Sequence, residues 1–125
     1  NQLSAQINVT GLAGFLLAKC AAARSRRLPK DWYDIAFVLL HNDAGGPEAA
    51  TQIVLDQFGK ELAAVSTILD DLQANFTTPS DQGPRAYADQ MLIDHPDLDR
   101  ITLAADAVLA VETFYHGLSS NSHIP

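Results

Sequence analysis

The chain has 125 residues, 47% of them hydrophobic and 18% charged, a composition that indicates one globular domain and excludes a disordered chain. Its net charge of −7 excludes a general nucleic-acid binder, because duplex binding requires phosphates to be neutralised over a broad surface. The single cysteine excludes an intramolecular disulfide, and the longest apolar runs are too short to span a bilayer.

The first predicted elements are a short strand and a helix. Residues 3–9 alternate between apolar and polar side chains, a period that is typical of a half-buried strand. A helix is then predicted from near Gly11 to about Arg26, with Thr10 as its N-cap. Its broad apolar face comprises Leu12, Phe15, Leu16, Ala22 and Ala23.

A second helix is predicted from about Pro29 to His41. Proline is excluded from a helix interior but suits the first turn, so Pro29 both ends the first helix and opens the second. Apolar side chains lie almost all round this second helix, which predicts a central position in the fold. They are Ile35, Ala36, Phe37, Val38, Leu39 and Leu40.

Three further helices are predicted after the loop at residues 42–48. Apolar residues recur every three or four positions from Val54 to Phe76, which predicts one long helix opened by Pro47 and bent, if anywhere, at Gly59. A short helix is predicted over residues 84–93 and a last one over residues 98–118. The fold class is therefore all-α, a small helical bundle with one short N-terminal strand that has no partner strand in this chain.

Positive charge is concentrated at the junction of the first two helices. Five of the eight basic residues lie between Lys19 and Lys30, with no acid among them, and two aspartates follow directly. Two interpretations are open: an ion-paired clasp across a helical corner, or a site where cations contact phosphates and an aspartate orients the lysine or a metal. The residues concerned are Lys19, Arg26, Arg27, Lys30, Asp31 and Asp34.

The spacing predicts how these charges are arranged. Lys19, Arg26 and Arg27 are seven and eight residues apart, so they are predicted to share a face of the first helix. Asp31 and Asp34, three apart, are predicted to share a face of the second. Asp34 is predicted to face the basic helix and to pair with Arg24, Arg27 or Lys19.

Residues 15–40, FLLAKCAAARSRRLPKDWYDIAFVLL, resemble a segment of the AbiE-type (AbiEii/AbiGii) nucleotidyltransferases, which are toxins of abortive-infection toxin–antitoxin systems within the polymerase-β-like superfamily. In that family a leucine- and alanine-rich helix carries a lysine, an arginine-rich turn follows, and a second helix opens with Lys-Asp-x-x-Asp. Residues 7–42 follow this order, so the resemblance covers roughly a third of the chain.

The resemblance implies a division of labour between two halves of a larger protein. An upstream α/β half would carry Gly-Ser and paired acids that hold Mg²⁺ and a nucleoside triphosphate, and the helical half would complete the pocket. Lys19 would approach the triphosphate, and Asp31 or Asp34 would hold that lysine or accept a proton from the attacking hydroxyl. These three are the candidate catalytic residues. The candidate nucleotide-binding residues are Lys19, Arg26, Arg27 and Lys30.

The sequence departs from the family in having no Gly-Ser followed by an acidic pair. Asp97-Leu-Asp99 has the Asp-x-Asp form, but Asp99 is better interpreted as the start of the last helix. Because the metal-binding half is missing and the first residue is Asn1 rather than Met, residues 1–125 are predicted to be a single helical domain from the C-terminal part of a larger cytoplasmic protein. This fragment is predicted to hold no metal or cofactor and to be inactive alone.

The predicted partners follow from the same resemblance. They are the upstream half, an antitoxin protein, a second copy of the chain through residues 3–9, and, for the full-length protein only, a tRNA or protein acceptor; no membrane is expected. The alternative function is a helical protein-interaction module without an active site. Under either function, Cys20 is interpreted as core packing and Trp32 as packing at the helical corner rather than as a base-stacking residue.

Overall fold

The computed structural model describes residues 11–122, so the predicted strand at 3–9 and the predicted cap at Thr10 lie outside the described residues. Within them the chain is all-α, as predicted, with six α-helices, one 3₁₀ segment and no strand. The helices are α1, Leu12–Arg26; α2, Pro29–His41; α3, Gly46–Phe58; α4, Ser66–Ala74; α5, Gln82–Asp94; and α6, Arg100–Ser122, and the 3₁₀ segment is Gly59–Val65.

The turn between α1 and α2 has only two residues. α1 ends because Arg27 adopts a left-handed conformation, with φ of 59°, and its N–H donates a hydrogen bond to the Ala23 carbonyl oxygen. Pro29 then opens α2, whose predicted bounds are confirmed. The left-handed backbone takes Arg27 out of the helix, so the prediction that Arg27 shares a face with Lys19 and Arg26 is wrong.

The prediction of one long helix from Pro47 to Phe76 is also wrong. α3 ends at Phe58, where φ is −129° and ψ is 16°, and a 3₁₀ segment separates it from α4. The apolar spacing itself holds, since Val54, Leu62 and Leu69 are all buried. A 3₁₀ turn has about 3 residues and an α turn about 3.6, so an apolar repeat of three to four positions fits both.

α2 is the central helix, as predicted. It packs against α1, α3, α5 and α6, and Trp32 in its first turn is completely enclosed. The Trp32 ring meets Phe76 edge-on, with centroids 6.0 Å apart, which confirms its predicted role in corner packing. The exception on α2 is Phe37, which is 38% exposed. No helix within the described part of the chain combines the length and apolar character needed to cross a membrane.

Cys20 is buried in the core, as predicted, and this burial makes a pH dependence testable. Desolvation, with a smaller contribution from Asp71, raises the pKa of the Cys20 thiol from 9.0 to about 12. The unfolded chain therefore ionises first, so the free energy of unfolding falls as pH rises between these two values. We expect Cys20→Ala to reduce this alkaline loss by about 1.4 kcal/mol per pH unit, measured by urea unfolding from pH 8 to 11. If the free energy of unfolding falls equally steeply with pH in wild type and in Cys20→Ala, this prediction is wrong.

Candidate functional site at the α1–α2 corner

Asp31 is a buried carboxylate at the start of α2, with only 2% of its surface exposed. Arg26 donates two hydrogen bonds to it, from Nη2 to Oδ1 at 2.7 Å and from Nε to Oδ2 at 3.2 Å. Lys19 Nζ lies 3.5 Å from Asp31 Oδ1. Paired N–H donors on one carboxylate are among the stronger charge-assisted contacts, so Asp31 fixes the position of both cations.

Lys19 lies between the two aspartates of α2. Its Nζ is 2.9 Å from Asp34 Oδ2, which confirms the predicted pairing of Asp34 with the basic helix. The hydrogen bond to Asp34, together with the negative charges of both aspartates, raises the pKa of Lys19 above its ordinary 10.5, although partial burial opposes the shift. Lys19 is therefore a cation at neutral pH, and 22% of its side chain remains exposed.

The sequence predicts that Lys30 and Arg27 also belong to this site, but the structure places only Lys30 there. Lys30 joins the site through Asp34, with Nζ 3.2 Å from Oδ2. Arg27 does not, because its guanidinium turns to Asp71 on α4, with contacts of 2.8 and 2.9 Å. We define the charge cluster as the remaining five residues, three cations and two carboxylates: Lys19, Arg26, Lys30, Asp31 and Asp34.

The carboxylates of the charge cluster are paired with its cations. Both carboxylates already face ammonium or guanidinium groups, and no set of three or more metal-ligating side chains is present within the described residues. A lysine ammonium has three N–H donors, so Lys19 keeps one beyond its two carboxylate contacts. An acceptor such as a phosphate oxygen could bind to that remaining donor.

An apolar groove adjoins the charge cluster, and the sequence interpretation missed it. Phe15 connects the two, because its ring lines the groove and lies 5.7 Å from Lys19 Nζ. The apolar pattern almost all round α2 predicts a core position for Phe37, whereas the packed fold leaves it partly exposed. The groove has a volume of about 200 Å³ and is lined by Leu12, Phe15, Phe37, Val38, His41, Asn42, Asp43 and Ala44.

Other polar residues have structural roles. Asn42 closes α2, since its side-chain amide donates to the carbonyl oxygens of Val38 and Gly46. Asp99 begins α6, as predicted, by accepting hydrogen bonds of 2.9 and 2.8 Å from the Thr102 N–H and hydroxyl, and these bonds lower the pKa of Asp99. The second aspartate of the Asp-x-Asp sequence at residues 97–99 therefore caps a helix.

Comparison with models of protein families, with curated proteins and with solved structures finds no match to this chain. The cluster contains the three candidate catalytic residues, and Lys19 contacts both Asp31 and Asp34.

Proposed function

We propose that this chain is the helical C-terminal part of an AbiE-like nucleotidyltransferase of the toxin–antitoxin type, and that Lys19 contacts the phosphates of a nucleoside triphosphate. The observation that carries the proposal is the placement of the Lys19 ammonium between Asp31 and Asp34, at a corner where cations outnumber carboxylates. A structural clasp requires only equal numbers of positive and negative charges. This cluster instead has a net charge of +1, because its three cations face two carboxylates, although the chain as a whole is acidic.

The roles follow from the contacts. Transfer of a nucleotidyl group places negative charge on phosphate oxygens, and cations that are already oriented stabilise it best. Asp31, which is buried, positions Arg26 and Lys19, and Asp34 positions Lys19 and Lys30. In the proposal the upstream half supplies Gly-Ser and the acids that hold Mg²⁺, and the whole protein works in the cytoplasm with an antitoxin and a tRNA or protein acceptor as partners.

The second candidate is a helical interaction module in which the same charges are a structural clasp. It is favoured by one observation: Arg27 pairs with Asp71, which ties the same corner to α4 without any ligand. The coding sequence separates the two candidates. The nucleotidyltransferase proposal expects Gly-Ser followed by Asp-x-Asp or Asp-x-Glu to be encoded upstream of Asn1, whereas a gene that starts near Asn1 would favour the module.

Purified residues 1–125 are expected to transfer no nucleotide. The chain contains no Gly-Ser with a following acidic pair, and its own carboxylates in the cluster are occupied by cations. The measurement uses each labelled nucleoside triphosphate with Mg²⁺ and RNA or protein acceptors, and the full-length gene product serves as the positive control. Robust metal-dependent transfer by the fragment would show that the catalytic half has been misplaced.

A further inference from the structure

We propose that the groove between α1 and α2 binds the nucleobase of the nucleotide whose phosphates Lys19 contacts. This inference rests on the proposed function and adds a ligand subsite to it. The groove and the charge cluster are continuous, because Phe15 borders both. A single ligand with a negatively charged end and a flat apolar end would therefore fill both.

The order of residues along the two helices sets the direction of that ligand. On α1, Lys19 contacts Asp31 and Asp34 of α2. Phe15 lies one turn before Lys19 on α1 and lines the groove together with Phe37 and Val38, which lie one turn after Asp34 on α2. One helical turn advances about 5.4 Å, so the groove begins about that far from the lysine. Phosphates at Lys19 would thus leave space for a ribose before the base reaches the groove.

The walls of the groove suit a flat aromatic ring. Phe15 comes from α1 and Phe37 from α2. Any nucleobase can stack on a phenylalanine ring, because every base has a π-face. The Phe37 ring is held in place, with Tyr33 and His41 centred 5.5 and 4.7 Å from it. His41 is held in turn by Tyr87, whose hydroxyl lies 3.2 Å from its Nε2. The aromatic wall is therefore formed before any ligand binds.

Charge also favours one orientation. Lys19 stands beside Phe15, and Asp43, which follows the last residues of α2, is among the residues that line the far part of the groove. Phosphates are repelled from the Asp43 end, whereas the amino group of a base could donate a hydrogen bond to the Asp43 carboxylate.

The test is a two-dimensional ¹H–¹⁵N NMR titration of the full-length protein with ATP, inorganic tripolyphosphate and adenosine in parallel. Tripolyphosphate is expected to shift the amide signals of the charge cluster only. ATP is expected to shift these and also the signals of Phe15, Phe37 and His41. Phe37→Leu is expected to weaken ATP about fivefold or more and to leave tripolyphosphate unchanged, because only a stacking contact is lost.

Controls separate this inference from the proposed function. Leu109→Ala removes an exposed apolar side chain on α6, away from the groove, and should change neither titration. If ATP and tripolyphosphate bind equally and Phe37→Leu has no effect, the base subsite is overturned and the phosphate site stands. If adenosine shifts the groove but tripolyphosphate shifts nothing, the proposed function is overturned and the groove remains a site for flat rings. Contacts between residues 1–10 and Phe37 with no response to ATP would overturn the inference.

Discussion

Asp31→Asn is expected to lower the free energy of unfolding by about 3 kcal/mol, because it removes the charge from a buried partner of two cations. Asn keeps the size of the side chain, so the loss reports on charge and hydrogen bonds rather than on a cavity. Arg26 and Lys19, which lie 2.7 and 3.5 Å from Asp31 Oδ1, would then face a neutral amide, whose oxygen still accepts a hydrogen bond but whose NH₂ group cannot. The cost lies at the low end for a broken buried pair because 53% of the Arg26 side chain reaches solvent and can be rehydrated.

Two other aspartates provide a graded comparison in the same chain. Asp34 is less buried than Asp31, so Asp34→Asn is expected to cost about 1 kcal/mol. Asp89 pairs with Arg100 on the surface, and Asp89→Asn is expected to cost under about 1 kcal/mol. Urea unfolding at pH 7 measures all three. Equal losses for Asp31 and Asp89 would contradict the account of Asp31 as the buried anchor of the cluster.

A double-mutant cycle identifies which cation makes the larger contribution. Arg26 makes the bidentate contact with Asp31, so the cycle of Asp31→Asn with Arg26→Gln should show the larger coupling energy. The cycle with Lys19→Met should show a smaller one, since Lys19 also contacts Asp34 at 2.9 Å. The reverse order would mean that Lys19, not Arg26, is the main partner of the buried carboxylate.

The sequence predicted the corner well because local rules determine it. Pro29 is excluded from the interior of α1 but is favoured in the first turn of α2, so it determines where α1 ends and α2 begins. Once the turn is that short, Lys19 has to lie near the start of α2. Spacing predicted that Asp34 would pair with Arg24, Arg27 or Lys19, and in the structure its partner on α1 is Lys19.

Other features depend on tertiary packing and could not be predicted from spacing. Asp31 and Asp34 are equivalent in the sequence, yet only Asp31 is enclosed. Arg27 adopts a left-handed conformation that is uncommon for a residue with a Cβ, so nothing local indicated that it would pair with Asp71. Phe37 looks like a core residue until the neighbouring helices are placed, and for that reason the groove was missed.

Lys19→Met in the full-length protein is expected to lower nucleotidyl transfer by about 10²–10³-fold, the usual loss when one oriented group that stabilises transition-state charge is removed. Stability should change little. Methionine keeps the unbranched stem beside Phe15, Asp31 keeps Arg26, and Asp34 keeps Lys30. Lys60→Met, at an exposed lysine of the 3₁₀ segment outside the cluster, is the matched control and should affect neither property.

The most direct test of the nucleotide-pocket account is to measure transfer rate and melting temperature together for wild type, Lys19→Met and Lys60→Met. The account predicts that transfer collapses in Lys19→Met alone while its melting temperature stays close to that of wild type. Unchanged transfer in Lys19→Met, or a loss that appears only where the protein has unfolded, would contradict the pocket and leave the charge cluster as a structural clasp.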